Sequence, residues 1–446
     1  MRETRVAQIS IFEKYSQHEF GKQLQQLSTI LDRYPEILNL IENDLIDSLC
    51  KKVGCKGLSV ETVLRCLLLK QQLRCSYEQL AFHLSDSSSY RAFTRMPDTV
   101  CPSRSGLQSV IRKIKPETLE AIHKTLAIDF LKEGTISLDK IRIDSTVVKS
   151  NITPPSDSQL LNDSVRVLSR LLAKSKNSID LKIRFTDKRK ASKSLAFQIF
   201  NAKNSQKEVL YPKLLTLARV VLRQVALALT KVEEVCGCSD KKSKWQAEVV
   251  HYRDLFLKVI NQTERRVINK EKVLSSEKIV SIFEEHTDII VKGYRETLYG
   301  HKINLASDGR GFITYLALEK GNPGDVERFM PIMHDHQTLF NQLPHSVACD
   351  GGYASQNNVA QGRALGIKRV VFHKRTGISN QAMGVKEKTF KMLRNFRAGI
   401  EGNISELKRA FGAGRAEWKG EDGFKAFVWS SVITYNLVRL ARLESG

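Results

Sequence analysis

A chain of 446 residues is long enough for two or three domains with sizeable cores. Its hydrophobic content of 41% is ordinary for a globular protein. No apolar run approaches the ~18 residues of a membrane span, and the opening MRETRVAQISIFEKY lacks the apolar core of a signal peptide, so a cytoplasmic protein with no membrane association is expected. Seventy-one Lys and Arg against 48 Asp and Glu give a net charge of +23, which favours a polyanionic partner, with nucleic acid ahead of membrane because no basic amphipathic anchor stands out.

Residues 1–131 read as helical. Leu24, Leu27, Ile30 and Leu31 keep helical spacing, and Ser59 precedes a run carrying Val60, Val63, Leu64, Leu67 and Leu68. Ser76-Tyr-Glu-Gln79 is a capping box that opens a short second helix, and the serines at 87–89 can open a third. Ser103 or Ser105 opens a fourth, with Leu107, Val110, Ile111 and Ile114, and Pro116 starts another that runs to about residue 131. Short helices joined by polar turns, with Arg91, Arg95, Arg104, Arg112 and Lys113 on the later ones, predict a helix-turn-helix-like DNA-binding region. Segment 103–115 is the candidate for the major groove, with Arg104, Arg112 and Lys113 as its DNA contacts. An ordinary helical bundle would carry the same caps.

Residues 132–155 hold a first strand. In ISLDKIRIDSTVV (136–148), Ile141, Ile143, Ser145 and Val147 alternate with Arg142, Asp144 and Thr146, the pattern of a half-buried strand. Asp144 inside it needs a partner or a ligand unless it sits on an edge strand facing water. Residues 156–285 then turn basic and helix-periodic, as in Leu161/Val165/Leu168/Leu172, Leu214/Leu217/Val221/Val225 and Val249/Tyr252/Phe256/Val259. An all-helical insertion of antiparallel helices is predicted there.

Strands return over 286–446. TLYGHKINLAS (297–307) and GFITYLALEKG (311–321) flank Asp308-Gly309-Arg310-Gly311, a hairpin signal. Asp325 caps a helix, and residues 346–350 form a short strand ending at Asp350. Gly351-Gly352 and a helix follow, and residues 368–373 make the next strand. Segment 391–408, KMLRNFRAGIEGNISELK, places Leu393, Phe396, Ile400, Ile404, Leu407 and Phe411 on one helical stripe, with Arg394, Arg397, Glu401 and Lys408 on a second stripe beside it. Arg397 and Glu401 could be a plain i,i+4 ion pair. Alternatively, Glu401 holds a metal while its basic neighbours hold phosphates. Gly399 and Gly402 beside it suggest a close approach to the backbone. A last apolar helix, 424–443, is expected on the outside of the core.

Eight scattered cysteines show no disulfide rhythm, Cys236-Gly-Cys238 has no second pair at ligand spacing, and His334-Asp-His336 is isolated, so reduced thiols and no zinc site are expected. Arg397-x3-Glu401-x6-Lys408 resembles the Y-x2-R-x3-E-x6-K signature around the third catalytic acid of many insertion-sequence transposases, although Arg394 stands at the tyrosine position. With FEEHTDIIVKGYRETLYGHKINL and AFVWSSVITYNLVRLARL, the stretch RNFRAGIEGNISELKRAFG makes nearly the whole chain resemble the ISNCY group of bacterial DDE transposases.

That resemblance implies an α/β fold with an RNase H-like catalytic core, a mixed sheet with flanking helices interrupted by the helical insertion. Asp144, Asp350 and Glu401 would be its three catalytic and metal-binding acids, using Mg²⁺ or Mn²⁺ as two ions per site. It implies metal-dependent cleavage at the terminal inverted repeats of an insertion sequence and strand transfer into target DNA. A homodimer or higher oligomer would form in the synaptic complex, associated with the bacterial nucleoid. Thirteen Lys and Arg against four Asp and Glu between 368 and 419 make Arg394, Arg397 and Lys408 candidate phosphate contacts; His301 and Lys302 of the hairpin could face the same site, although a strand histidine is more often structural. Trp418 and Trp429 fit core packing better than base stacking. Two other classes compete: a DNA-binding regulator with merely structural acids, and a nuclease of the same fold that cuts without joining.

Overall fold

Serine caps set the rhythm of the first third of the chain. The side chains of Ser59, Ser76, Ser87 and Ser103 each accept a backbone N–H at a helix start, and Ser76 with Gln79 completes the capping box. The computed structural model describes residues 4, 15–46, 57–97, 99–234, 240–292, 296–373 and 377–445, and Cys236 and Cys238 lie outside them. The capped helices are α3 (Val60–Leu73), α4 (Tyr77–Asp86), α5 (Ser88–Thr94) and α6 (Arg104–Ile111). They follow α1 (Glu19–Arg33) and α2 (Glu36–Leu45) and precede α7 (Pro116–Lys132), which leads to strand β1 (Lys140–Lys149).

The chain divides into two compact units, Met1–Asn151 with Gly300–Gly446, and Ile152–Tyr299. The second unit contains α8 (Asp157–Ile179), α9 (Arg189–Asn201), α10 (Asn204–Glu234) and α11 (Asp240–Thr263), and ends with the short strand β2 (Asp288–Lys292). Helix α8 is its hub, packed against α9, α10 and α11. Of the positions that helical spacing singles out, Leu161, Val165, Leu168, Leu172, Leu214, Val221, Val225, Val249, Phe256 and Val259 are buried there, while Leu217 and Tyr252 are only half-buried at its margin. Asp157 in the first turn of α8 accepts from Gln262 Nε2 at 2.9 Å and pairs with Arg266 Nη1 at 2.9 Å, tying α8 to the end of α11.

The remaining elements are β3 (Glu296–Ser307), β4 (Ile313–Leu318), α12 (Asp325–Phe340), β5 (Ser346–Cys349), α13 (Gln356–Ala364), β6 (Arg369–Phe372), α14 (Glu387–Ala410) and α15 (Glu421–Ser445). In the first unit the strands run in the order β4-β3-β1-β5-β6, antiparallel on the β4 side of β1 and parallel on the β6 side, a mixed sheet with flanking helices. The β3–β4 hairpin turns where Asp308 and Gly311 predict. Asp308 Oδ1 accepts from Phe312 N at 2.8 Å, and Gly311 takes a φ of 84° that glycine adopts without strain.

Two expectations change. Strand β1 is central and buried on both faces at residues 141–143 and 146–148, because β3 and β5 flank it and helices cover it. Helix α15 is not an outer layer: it packs on α1, α3 and α7 and is buried almost all round. A helix apolar on every face belongs inside. Consequently the helices of 1–131 share one hydrophobic core with the sheet. No helix among the described residues is long and apolar enough to cross a membrane.

Candidate active site

The parallel register of β1 and β5 sets Ile143 opposite Cys349, so Asp144 and Asp350 are neighbours one residue further along. Helix α14 crosses β1, β5 and β6 on the face that carries Arg142 and Asp144. Two polar residues of that helix, Arg397 and Asn403, take buried positions in line with Leu393, Ile400 and Leu407, while Phe396 and Ile404 are only half-buried. The strand face beneath is polar and draws polar partners inward, which a purely apolar stripe does not foresee.

Arg397 is the focus. Its Nη1 donates to Glu401 Oε1 at 2.7 Å and its Nη2 to Asp144 Oδ2 at 2.7 Å, with Asp350 Oδ1 3.4 Å from Nη2. Three carboxylates separated by 206 and 51 positions in sequence thus meet at one guanidinium. Access rises outward: side-chain exposure is 7% for Arg397, 15% for Asp144, 35% for Asp350 and 66% for Glu401. The Asp144 carboxylate is also oriented by its own strand, since Oδ1 accepts from Ser145 N at 2.7 Å. The i,i+4 pair of Arg397 and Glu401 is therefore present, but as one arm of a larger cluster.

Arg142, on the same strand face, locks α14 in place. It donates to the Phe396 carbonyl at 3.1 Å, to Asn403 Oδ1 at 2.8 Å and to Ser307 Oγ at 3.0 Å. Gly399 exists for this contact, because a Cβ there would stand 1.9 Å from Arg142 Nη1, whereas a Cβ at Gly402 would meet nothing. Alternation places Arg142 beside Asp144, but its positioning role depends on α14 lying above and is not visible in the sequence. Cys349, beside both aspartates, is no nucleophile: burial, then the Asp144 and Asp350 charges, push its thiol well above the usual range.

The other predicted residues distribute unevenly. Arg394, exposed on α14, and half-buried Lys408 in its last turn each lie seven residues from Glu401, on one helix face and about 10 Å away along the axis. Arg397 departs from the expected phosphate contact, because its guanidinium is buried against carboxylates. His301 and Lys302 are corrections. Cross-strand pairing puts Lys302 with Val147, on the opposite sheet face from Asp144, where it pairs with Asp325 Oδ1 at 2.6 Å. His301 shares the face of Asp144 but stacks edge-on against Phe424 at 4.7 Å.

In the helical part, Arg104, Arg112 and Lys113 are exposed, with Arg112 donating to the Lys419 carbonyl at 2.9 Å. Arg91 instead donates to the carbonyls of Leu84, Pro97 and Val100, and Arg95 pairs with Asp32 and Glu61. Trp418 and Trp429 are core residues, against Tyr77 and His123. His336 is buried and His334 exposed, so the two do not converge.

The carboxylates suit a hard divalent ion by donor chemistry, and their graded exposure leaves them open to solvent. Among the described residues no three His, Cys, Asp or Glu side chains close on a common metal position, because these acids stand around a guanidinium instead. Compared with known families, residues 285–437 match the transposase DDE domain, a span that includes Asp350 and Glu401 but not Asp144. Neither a curated protein nor a solved structure matches the chain.

Proposed function

From a chain that carries a transposase DDE domain over residues 285–437, we infer a transposase that binds the terminal inverted repeats of its insertion sequence, cleaves there and transfers the freed strand to target DNA. The sheet is read as an RNase H-like core, with Asp144, Asp350 and Glu401 as the catalytic acids and Mg²⁺ or Mn²⁺ ligands. One observation carries this reading. Acids on a central strand, at the end of its parallel neighbour and on the helix above converge on one point, although 206 and 51 residues separate them.

Divalent ions held by these carboxylates would activate the attacking oxygen, first of water and then of a 3′-hydroxyl, and stabilise the leaving one. The chain's own residues do the rest. Ser145 N and the strand fix Asp144, the turn after β5 presents Asp350, and Arg142 holds α14 so that Glu401 stays above both. Arg394 and Lys408, flanking Glu401 on the helix face, bind phosphates of the DNA end. Exposed Arg104, Arg112 and Lys113 contact the repeat, and two copies of the chain bring two ends together.

A labelled DNA end incubated with the full chain and Mg²⁺ should be nicked, and a pre-nicked end should be joined to target DNA. Asp144→Ala should abolish both reactions while leaving end binding intact. Nicking without joining would indicate a nuclease, and unchanged nicking by Asp144→Ala would remove this site from the reaction.

A further inference from the structure

Resting on the reading of the three acids as metal ligands, we propose that Arg397 is a resident counter-ion. It holds the carboxylates assembled, and it must withdraw for a divalent cation to bind. Charge provides the first argument. Three carboxylates against one guanidinium leave two negative charges over, and a divalent ion taking the guanidinium's place reduces that excess to one. Geometry provides the second. Both Nη atoms are committed to the acids, at 2.7 Å to Asp144 and to Glu401, so an ion ligated by the same oxygens competes with the guanidinium for them.

Anchoring provides the third. Arg397 Nε is buried without a hydrogen-bond partner among the described residues, so the carboxylates are the guanidinium's hydrogen-bonding hold at the focus. Its place on the buried line of α14, one turn before the exposed Glu401, gives the cluster an inner cation and an open outer side. An ion arriving from the Glu401 side meets the acids already gathered. Binding is thereby an exchange of one cation for another, and the apparent affinity falls by the fraction of chains whose arginine has withdrawn.

The test is Mn²⁺ binding to the full, DNA-free chain, with free ion counted by electron paramagnetic resonance. Arg397→Gln should bind Mn²⁺ about tenfold more tightly than wild type, corresponding to a competent wild-type fraction of roughly one in ten. Its metal-free melting temperature should fall and recover on adding Mn²⁺, with Arg397→Lys between the two. Unchanged or weaker Mn²⁺ affinity in Arg397→Gln, with binding still abolished by Asp144→Ala, overturns the counter-ion and leaves the metal-ligand reading standing. Absence of Mn²⁺ binding from the wild type and the variants overturns both. Should Arg397→Gln fail to fold, wild-type crystals grown with and without Mn²⁺ decide: a guanidinium still on Asp144 and Glu401 beside bound Mn²⁺ overturns the proposal.

Discussion

Arg65 and Arg397, both buried in the first unit, each gather a cluster of carboxylates, and the charge balance of the two differs. Around Arg65, which is 1% exposed, two arginines meet two acids: Arg65 pairs with Glu61 and Asp32, and Arg95 pairs with the same two. Ser28 Oγ and the Phe93 carbonyl take further donors of Arg65, so the group is nearly saturated. Around Arg397 one arginine meets three acids, and the cluster opens to solvent through Glu401. A charge-balanced cluster with nearly every donor used holds elements together. An unbalanced one that opens to solvent through Glu401 invites another cation.

The largest expected contrast sets activity against stability. Asp144→Asn should reduce cleavage to background yet unfold within about 1 kcal/mol of wild type, because Arg397 keeps two carboxylates and mutual repulsion is relieved. Arg65→Met should do the reverse, costing about 3–5 kcal/mol, because it leaves buried Glu61 to Arg95 alone and strips Ser28 Oγ and the Phe93 carbonyl of their donor. Urea unfolding and end cleavage measured on both variants check the pair. Equal stability losses would erase the distinction between the clusters.

A smaller effect tests whether the helices of the Arg65 region and the sheet behave as one body. His123 on α7 bonds the Ile313 carbonyl of β4 at 3.0 Å, and burial pulls its pKa down to about 4, with that hydrogen bond opposing. The unfolded imidazole titrates near 6.5, so the unfolded chain binds more protons between these values. Stability is full above pH 6.5 and falls as pH drops towards 4, with His123 contributing about 2 kcal/mol of loss between pH 7.5 and 5. Urea midpoints at the two values should show one transition shifting, and His123→Gln should remove its own share of the shift, leaving that of buried His336, whose pKa burial pulls down to about 3.

The smallest effect concerns the helix ends themselves. Arg104→Ala and Lys113→Ala should each weaken DNA binding and lower the slope of log affinity against log salt by about 0.9, with cleavage chemistry untouched. Filter binding over a salt series measures this. An unchanged slope would move the DNA contact away from α6.

Much of this was legible because local rules and tertiary structure agree. Serine caps, the Asp308–Gly311 turn and the helical spacing of the second unit need only neighbours in sequence, and each lies where spacing places it. An acid inside a strand announces a need for a partner, which made Asp144 conspicuous. Arg397 was harder. Its burial depends on the polar strand face under α14, so apolar periodicity favoured Phe396 for the inward position. Arg142 and Gly399 form a single contact across 257 positions and announce nothing alone. The face that Lys302 takes is not legible in the sequence, because strand parity decides it and parity relative to Asp144 requires the register of β1 and β3.

The choice of third acid tests the account most directly. Glu401 joins the Arg397 cluster, whereas Glu406, five residues on, pairs with Arg439 at 3.3 Å and Arg442 at 2.5 Å on α15. Cleavage of a labelled end in Mg²⁺ by Glu401→Ala and by Glu406→Ala, compared at matched DNA binding, separates the two. Loss of cleavage in Glu401→Ala with near-normal cleavage in Glu406→Ala is the predicted result. Activity kept by Glu401→Ala and lost by Glu406→Ala would contradict it.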